Sequence, residues 1–321
     1  MKTESLVVVS LVVALTALEA VSRVVEPRLS ADVRQMLAQN EIADRVREAK
    51  NEDRASILVI GNSLARASIL PDEIAVAIDS TEGKPPEVLY ITPDASGINE
   101  WAAAYRKAFA PDLGVELPDL IIIVAGPWHL VDHAVSSPEK LSAYHVSSRD
   151  RLDVAWNWFS DIGARCRFAL AGVSRLFANR ERVQPLLFYG WVPGYEVTAQ
   201  RLNQTSSLRA EDRSGRDEPA SVRPADTTSR LELLLDSLGV EPEQVLIAAV
   251  PLPEHYKLPE SVVSVARARG INVFTEAAEK EWPASAFPDG YHMSSEAGRA
   301  FSRELENFIR SRQNGGYQPS R

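Results

Sequence analysis

Ser56-Ile57-Leu58-Val59-Ile60-Gly61-Asn62-Ser63-Leu64-Ala65-Arg66-Ala67-Ser68-Ile69-Leu70 is the stretch that decides the fold. Its first five residues form an apolar, β-branched run of strand length, while helix formers begin at Leu64 and stop before Pro71. A buried strand running into a short helix is therefore expected, with Ser63 at the turn and Gly61 letting the backbone turn tightly. The first amides of a helix have no intrahelical acceptor, and the helix dipole favours negative charge beside them. A serine there can sit next to donors for a developing oxyanion. Taken alone, it reads equally well as the N-cap of a helix after a Gly-Asn turn.

Further apolar runs at Val88–Ile91, Leu120–Ala125, Val245–Val250 and Ile271–Phe274 alternate with helical stretches. That alternation predicts an α/β fold, a three-layer α/β/α sandwich around a central parallel sheet of about five strands. Ligands of such sheets collect at the carboxyl ends of the strands, the edge where Ser63, Gly97 and Gly126 would all lie.

Toward the other end, Phe287-Pro288-Asp289-Gly290 reads as a turn ahead of His292. Ser294 or Ser295 then caps a helix whose apolar face runs Ala297, Phe301, Leu305, Phe308 and Ile309. The short spacing brings the Asp289 carboxylate within reach of the His292 ring without a long loop to order. A serine hydroxyl is a poor nucleophile at neutral pH; it needs an imidazole to take its proton and an acid to hold that imidazole in one tautomer. Ser63, His292 and Asp289 supply these three groups.

The two blocks resemble those of the SGNH, or GDSL-like, hydrolase superfamily, with Gly61-Asn62-Ser63-Leu64 in place of the usual Gly-Asp-Ser-Leu and Asp289-x-x-His292 as the last block. The chain looks most like the membrane-anchored branch associated with acylation or deacylation of bacterial cell-surface polysaccharides. The resemblance implies an SGNH/flavodoxin-like sheet, attack by Ser63 on an ester, His292 as base, Asp289 as its orienting acid, and no cofactor. It implies an oxyanion hole from the amides of Ser63 and Gly97. Read from the sequence alone, Gly97 is also a simple helix-start glycine. The third block, usually Gly-x-Asn-Asp, is Gly126-Pro127-Trp128-His129 here, so Gly126, Trp128 and His129 are the weaker oxyanion candidates. The implied substrate is an acylated carbohydrate or other small ester, and hydrolysis and acyl transfer share their first half-reaction. Trp128 at the asparagine position keeps a second reading open: a catalytically inactive, membrane-tethered protein of this fold that binds glycan or an assembly partner.

Leu6–Leu18 is an apolar stretch broken only by Ser10 and Thr16 and preceded by Lys2. Its length is that of a signal-peptide core. The pattern continues through Ala20, Val21, Val24 and Val25 with no small-x-small cleavage site, so an uncleaved signal anchor over 1–28 is expected. A helical stalk over 29–54 and the α/β domain over 55–312 would follow. Within that domain a helical insertion is expected over 138–192 and a mobile polar loop over 193–227, with a disordered tail over 313–321. The insertion carries Trp156, Trp158, Phe159, Leu170, Leu176 and Phe177. Its apolar face has to be covered, by the sheet domain or as a lid, membrane contact or partner surface. The resemblance places the catalytic domain outside the cytoplasm, periplasmic or extracellular.

A formal net charge of −9 without a basic cluster argues against nucleic acid as a partner. The single cysteine, Cys166, excludes an internal disulfide framework and is expected as a packed core thiol. His129 and His133, with Asp132 between them, would share a helix face, but zinc needs a third ligand and none is compelled, so no metal site is expected. His145 and His255 carry no motif, although His255, after the fourth strand, is placed to line the cleft. No protein partner can be named from these residues.

Overall fold

The computed structural model describes residues 3–77, 84–110, 114–132, 137–183, 194 and 227–314. Helices α1 (Thr3–Leu29), α2 (Ala31–Ala38) and α3 (Ile42–Asn51) precede strand β1 (Ser56–Ile60). Helices α4 (Ser63–Ser68) and α5 (Pro71–Ile74) lead to β2 (Glu87–Ile91), and α6 (Ile98–Ala108) leads to β3 (Leu120–Ala125). The helical segment after β3 holds α7 (Pro138–Lys140), α8 (Arg151–Asn157), α9 (Ile162–Val173) and α10 (Arg175–Ala178). Helix α11 (Ser229–Ser237) enters β4 (Val245–Ala249), α12 (Glu260–Ala268) enters β5 (Asn272–Phe274), and α13 (Glu276–Glu279) and α14 (Ser295–Asn314) follow. The described residues fall into two compact units, one within Met1–Arg34, Pro138–Ala143 and Arg151–Ala225, the other within Gln35–Ser137, Tyr144–Asp150 and Asp226–Arg321.

The second unit is the α/β domain. Its five strands are all parallel, in the order β2-β1-β3-β4-β5. Strand side chains alternate between faces, and here both faces are covered. Leu58 and Ile60 of β1, Ile121, Ile123 and Ala125 of β3, and Val245, Ile247 and Ala249 of β4 join one core with α3, α6, α11 and α12. Their neighbours Ile57, Val59, Ile122, Val124, Leu246 and Ala248 join a second core with α4 and α14. Near-continuous apolar strands are what burial on both faces requires, so the expected α/β architecture is the observed one. With β1 between β2 and β3, the chain reverses its direction of travel across the sheet. That reversal opens a crevice at the carboxyl ends of β1 and β3.

Several expectations are corrected. Residues 29–54 are not a free stalk, because Ile42 and Val46 of α3 are buried in the first sheet-face core. Helix α3 is a covering layer of the domain, with Ile42, Val46 and Ala49 buried. Helices α8, α9 and α10 group with α1 instead of forming an insertion within the sheet domain. Cys166 is exposed on α9, whose buried side is taken by Ala164, Phe168 and Ala171. Leu176 and Phe177 of α10 are only partly buried. The loop expected over 193–227 and the tail over 313–321 lie almost wholly outside the described residues, as does His133.

In the first unit, α1 is a continuous helix of 27 residues. The stretch Glu4–Leu29 is long and apolar enough to cross a membrane.

Candidate active site

Construction of the site starts where β1 ends. Gly61 N–H donates to Ile91 O of β2 at 3.0 Å, continuing the ladder by one residue. A Cβ at Gly61 would stand 2.5 Å from Ala65 Cβ and 2.8 Å from Val124 O. Close approach of α4 and β3 therefore demands glycine here, and backbone freedom is a lesser reason. The residue that caps α4 is Asn62, whose Oδ1 accepts from Leu64 N at 2.9 Å. Ser63 is consequently the first helical residue, with its side chain in the crevice and its amide lacking an intrahelical acceptor.

The histidine arrives on a loop pinned at both ends. Phe287 and Met293 are buried in the second core, and Ser294 N–H donates to Ala286 O at 2.7 Å. Gly290 adopts φ +81°, a left-handed conformation that suits glycine. Helix α14 is capped by Ser294, whose Oγ accepts from Ala297 N at 3.2 Å. Its face of Ala297, Phe301, Leu305 and Ile309 is buried. A Cβ at Gly298 would be 2.5 Å from Ala67 O, so α14 lies directly on α4. The two helices are fastened by buried Ser302, which donates to Ser68 O at 2.9 Å and accepts from Leu70 N at 2.9 Å.

This docking brings His292 Nε2 to 2.9 Å from Ser63 Oγ. On its other side, His292 Nδ1 is 2.7 Å from Asp289 Oδ2. Asp289 Oδ1 accepts the backbone amides of His292 at 2.7 Å and Tyr291 at 2.9 Å. Those contacts, the His292 amide foremost and its ring next, hold the Asp289 carboxyl down to about 2. An ionised Asp289 accepts only, so Nδ1 carries the ring proton and Nε2 presents its lone pair to the serine hydroxyl. The sequence-predicted Ser63, His292 and Asp289 thus meet in a relay geometry.

The expected oxyanion donors are not all free. Gly97 opens α6, and its N–H donates at 3.2 Å to Glu100 Oε2, a carboxylate buried at 1% exposure. The Gly97-x-x-Glu100 spacing is a helix-start signal that sequence reading can find. Gly126 N–H is held by His129 Nδ1 at 2.9 Å. His129 itself is buried on a turn, not on a helix, and its Nε2 lies 3.0 Å from Asn62 Nδ2. A neutral imidazole has one acceptor nitrogen, so it satisfies only one of these two donors at a time. Trp128 is 53% exposed, with its ring beside that of His129. Of the expected set, the Ser63 amide is the donor whose position leaves it without an intrahelical acceptor.

A second set of residues, missed in the sequence, fixes the rim. Asn62 Nδ2 donates to Ser96 O at 3.2 Å, and Ile98 N–H donates to His129 O at 3.0 Å. The loops after β1, β2 and β3 are thereby tied together. Ser96 Oγ accepts from Trp101 Nε1 at 2.9 Å and donates to Pro93 O at 2.5 Å. Arg66 donates to Thr92 O at 2.8 Å and also bonds Asp94 and Gln35. No local pattern marks the ties of Asn62, Ile98 and Arg66, because each joins segments distant in the chain. Asp132 accepts from Ser229 N at 3.0 Å and Arg230 N at 2.8 Å, so it caps α11. His255 is exposed on the loop after β4. His145 is buried and takes no part in the triad.

In comparisons with known proteins, no family model and no curated protein matches this chain.

Proposed function

We propose that this protein is a membrane-anchored serine esterase or O-acyltransferase that works through an acyl-enzyme on Ser63. The observation that carries the reading is the 2.9 Å approach of His292 Nε2 to Ser63 Oγ, with Asp289 fixing the tautomer. His292 takes the hydroxyl proton as Oγ attacks the acyl carbonyl, and the Ser63 amide faces the developing oxyanion. Collapse of the tetrahedral intermediate expels the alcohol, which receives the proton from His292. Water or a sugar hydroxyl then takes the acyl group by the same steps in reverse. Ester-linked acyl groups on a cell-surface polysaccharide are the substrate class the resemblance implies. The apolar helix at the N-terminus supports membrane attachment, and the resemblance implies a catalytic unit outside the cytoplasm.

The test is labelling of the full-length protein by a fluorophosphonate probe. Wild type is expected to label covalently and Ser63→Ala to lose the label. Undiminished labelling in Ser63→Ala assigns the reactivity to another residue and ends the proposal.

A second reading, a glycan-binding or assembly protein without turnover, is favoured by one specific observation. The Gly97 amide is already bound to Glu100, and one missing oxyanion donor costs about a hundred- to a thousand-fold in turnover. Hydrolysis of a simple acetate ester that disappears with Ser63→Ala decides against it.

A further inference from the structure

Helix α1 has two parts with different surroundings. Leu6–Leu18 carries side chains that are exposed all round, Leu6, Val7, Val13 and Leu18 among them. Beyond Leu18 a polar face appears, formed by Glu19, Ser22 and Glu26. Glu19 accepts Ser174 Oγ at 2.8 Å, Arg175 N at 2.8 Å and Leu176 N at 3.0 Å. Glu26 accepts Asn179 Nδ2 at 3.0 Å. Carboxylates so engaged mark the level at which the helix leaves hydrocarbon, because a charge inside it is costly. Exposed apolar side chains continue past that level on the other side of the helix as Val21 and Val24, 57% and 78% exposed.

At that same level the end of α9 is fastened to α1, with Arg23 Nη2 donating to Val173 O at 3.1 Å. Helix α9 is apolar on two sides. Ala164, Phe168 and Ala171 face inward, whereas Ile162, Leu170 and Val173 are 69%, 50% and 68% exposed. Cys166 lies on the same outer stripe, at helical spacing from Ile162 and Leu170. A helix apolar on both sides belongs between protein and a second apolar phase. Next to it, α8 exposes Leu152 and Trp156, and the Arg165 guanidinium sits 4.6 Å over the Trp156 ring, a pairing suited to the headgroup region.

We infer that the outer face of α8 and α9 lies in the lipid interface of the membrane that α1 enters, with Ile162, Leu170 and Val173 in the acyl boundary. The inference rests on the anchor reading above. Lipid is the occupant because the apolar surface is continuous: Val173, at one end of the stripe, is held by Arg23, which lies between the exposed Val21 and Val24 of α1. Interfacial helices bury their apolar face by about 5–10 Å.

Cys166 is the only cysteine, so it is a native reporter. The full-length protein, labelled there with an environment-sensitive fluorophore, is reconstituted into phosphatidylcholine–phosphatidylglycerol vesicles. The reference is a probe at exposed Glu254, as Glu254→Cys in a Cys166→Ser background. The Cys166 probe is expected to be quenched by shallow doxyl lipids and to show iodide quenching at least about threefold weaker than the reference. Iodide quenching equal to the reference overturns the inference, and protection from both quenchers does too, since it places protein over the stripe. Release of the protein by alkaline carbonate overturns the anchor reading as well, so the two failures are distinguishable. The triple variant Ile162→Glu, Leu170→Glu, Val173→Glu is expected to restore iodide quenching with unchanged thermal melting; persistent lipid quenching in it counts against the assigned residues.

Discussion

Ser63 and His292 are 229 positions apart in the chain, yet Oγ and Nε2 stand 2.9 Å from each other. The distance is set by α14 lying on α4, where Gly298 admits the Ala67 carbonyl and Ser302 bonds both Ser68 at the end of α4 and Leu70 beyond it. Helix contact thus decides whether the Ser63 hydroxyl meets the His292 ring.

Removal of the base is expected to have a kinetic effect and little effect on the fold. His292→Ala is predicted to slow fluorophosphonate labelling of Ser63 by about 10⁴-fold or more, because members of such a relay act as a unit. His292 is partly exposed at the rim, so the melting temperature should stay close to that of wild type. A labelling rate within tenfold of wild type would remove His292 from the mechanism.

Asp289→Asn is predicted to lower the labelling rate by about 10⁴-fold, since a carboxamide does not enforce the tautomer with the proton on Nδ1. The Asx turn should survive in part, because the amide oxygen still accepts from Tyr291 and His292 N–H. A drop equal to that of Ser63→Ala would mean that the loop itself had moved.

The depressed pKa of Asp289 has a stability consequence whose sign follows from linkage. A carboxyl held at about 2 when folded, against about 3.9 in an unfolded chain, stabilises fully above the unfolded value and loses that effect as pH falls through the folded one. The difference in urea midpoint between wild type and Asp289→Asn is therefore expected to be flat above about pH 4 and to shrink between about pH 4 and pH 2. A difference that vanishes already at pH 6 would contradict this assignment.

Asn62 has two separable duties. Asn62→Ala is predicted to cost about 1–2 kcal/mol through loss of the α4 cap and to leave Ser96 O without its donor. Asn62→Asp keeps the cap and loses the donor, so it should regain most of the stability and little of the labelling rate. Equal behaviour of the two variants in both measurements would show that the tie to Ser96 is inert.

Gly61→Ala places a methyl 2.8 Å from the Val124 carbonyl, which belongs to a central strand and has no room to withdraw. The expected loss is about 1–3 kcal/mol, seen as a lower chemical-denaturation midpoint, with labelling slowed because Ser63 shifts with the turn. An unchanged midpoint would imply that α4 moves freely off β3.

The sequence by itself determined the sheet and the local turn that pairs Asp289 with His292. Runs such as Leu120–Ala125, apolar at every position, are possible only where a strand is covered on both faces, and Asp289-x-x-His292 specifies its own local turn and hydrogen bonds. Tertiary structure alone decided the rest. Ile42 and Val46 look like any amphipathic helix until the sheet face that covers them exists. The Gly97 amide looked free until Glu100 turned back onto it, and Cys166 looked like core until Phe168 and Ala171 took the inner side of α9. Periodicity records which residues avoid water, but which of two apolar faces meets protein, and which backbone donor is already bound, depends on contacts between segments far apart in the chain.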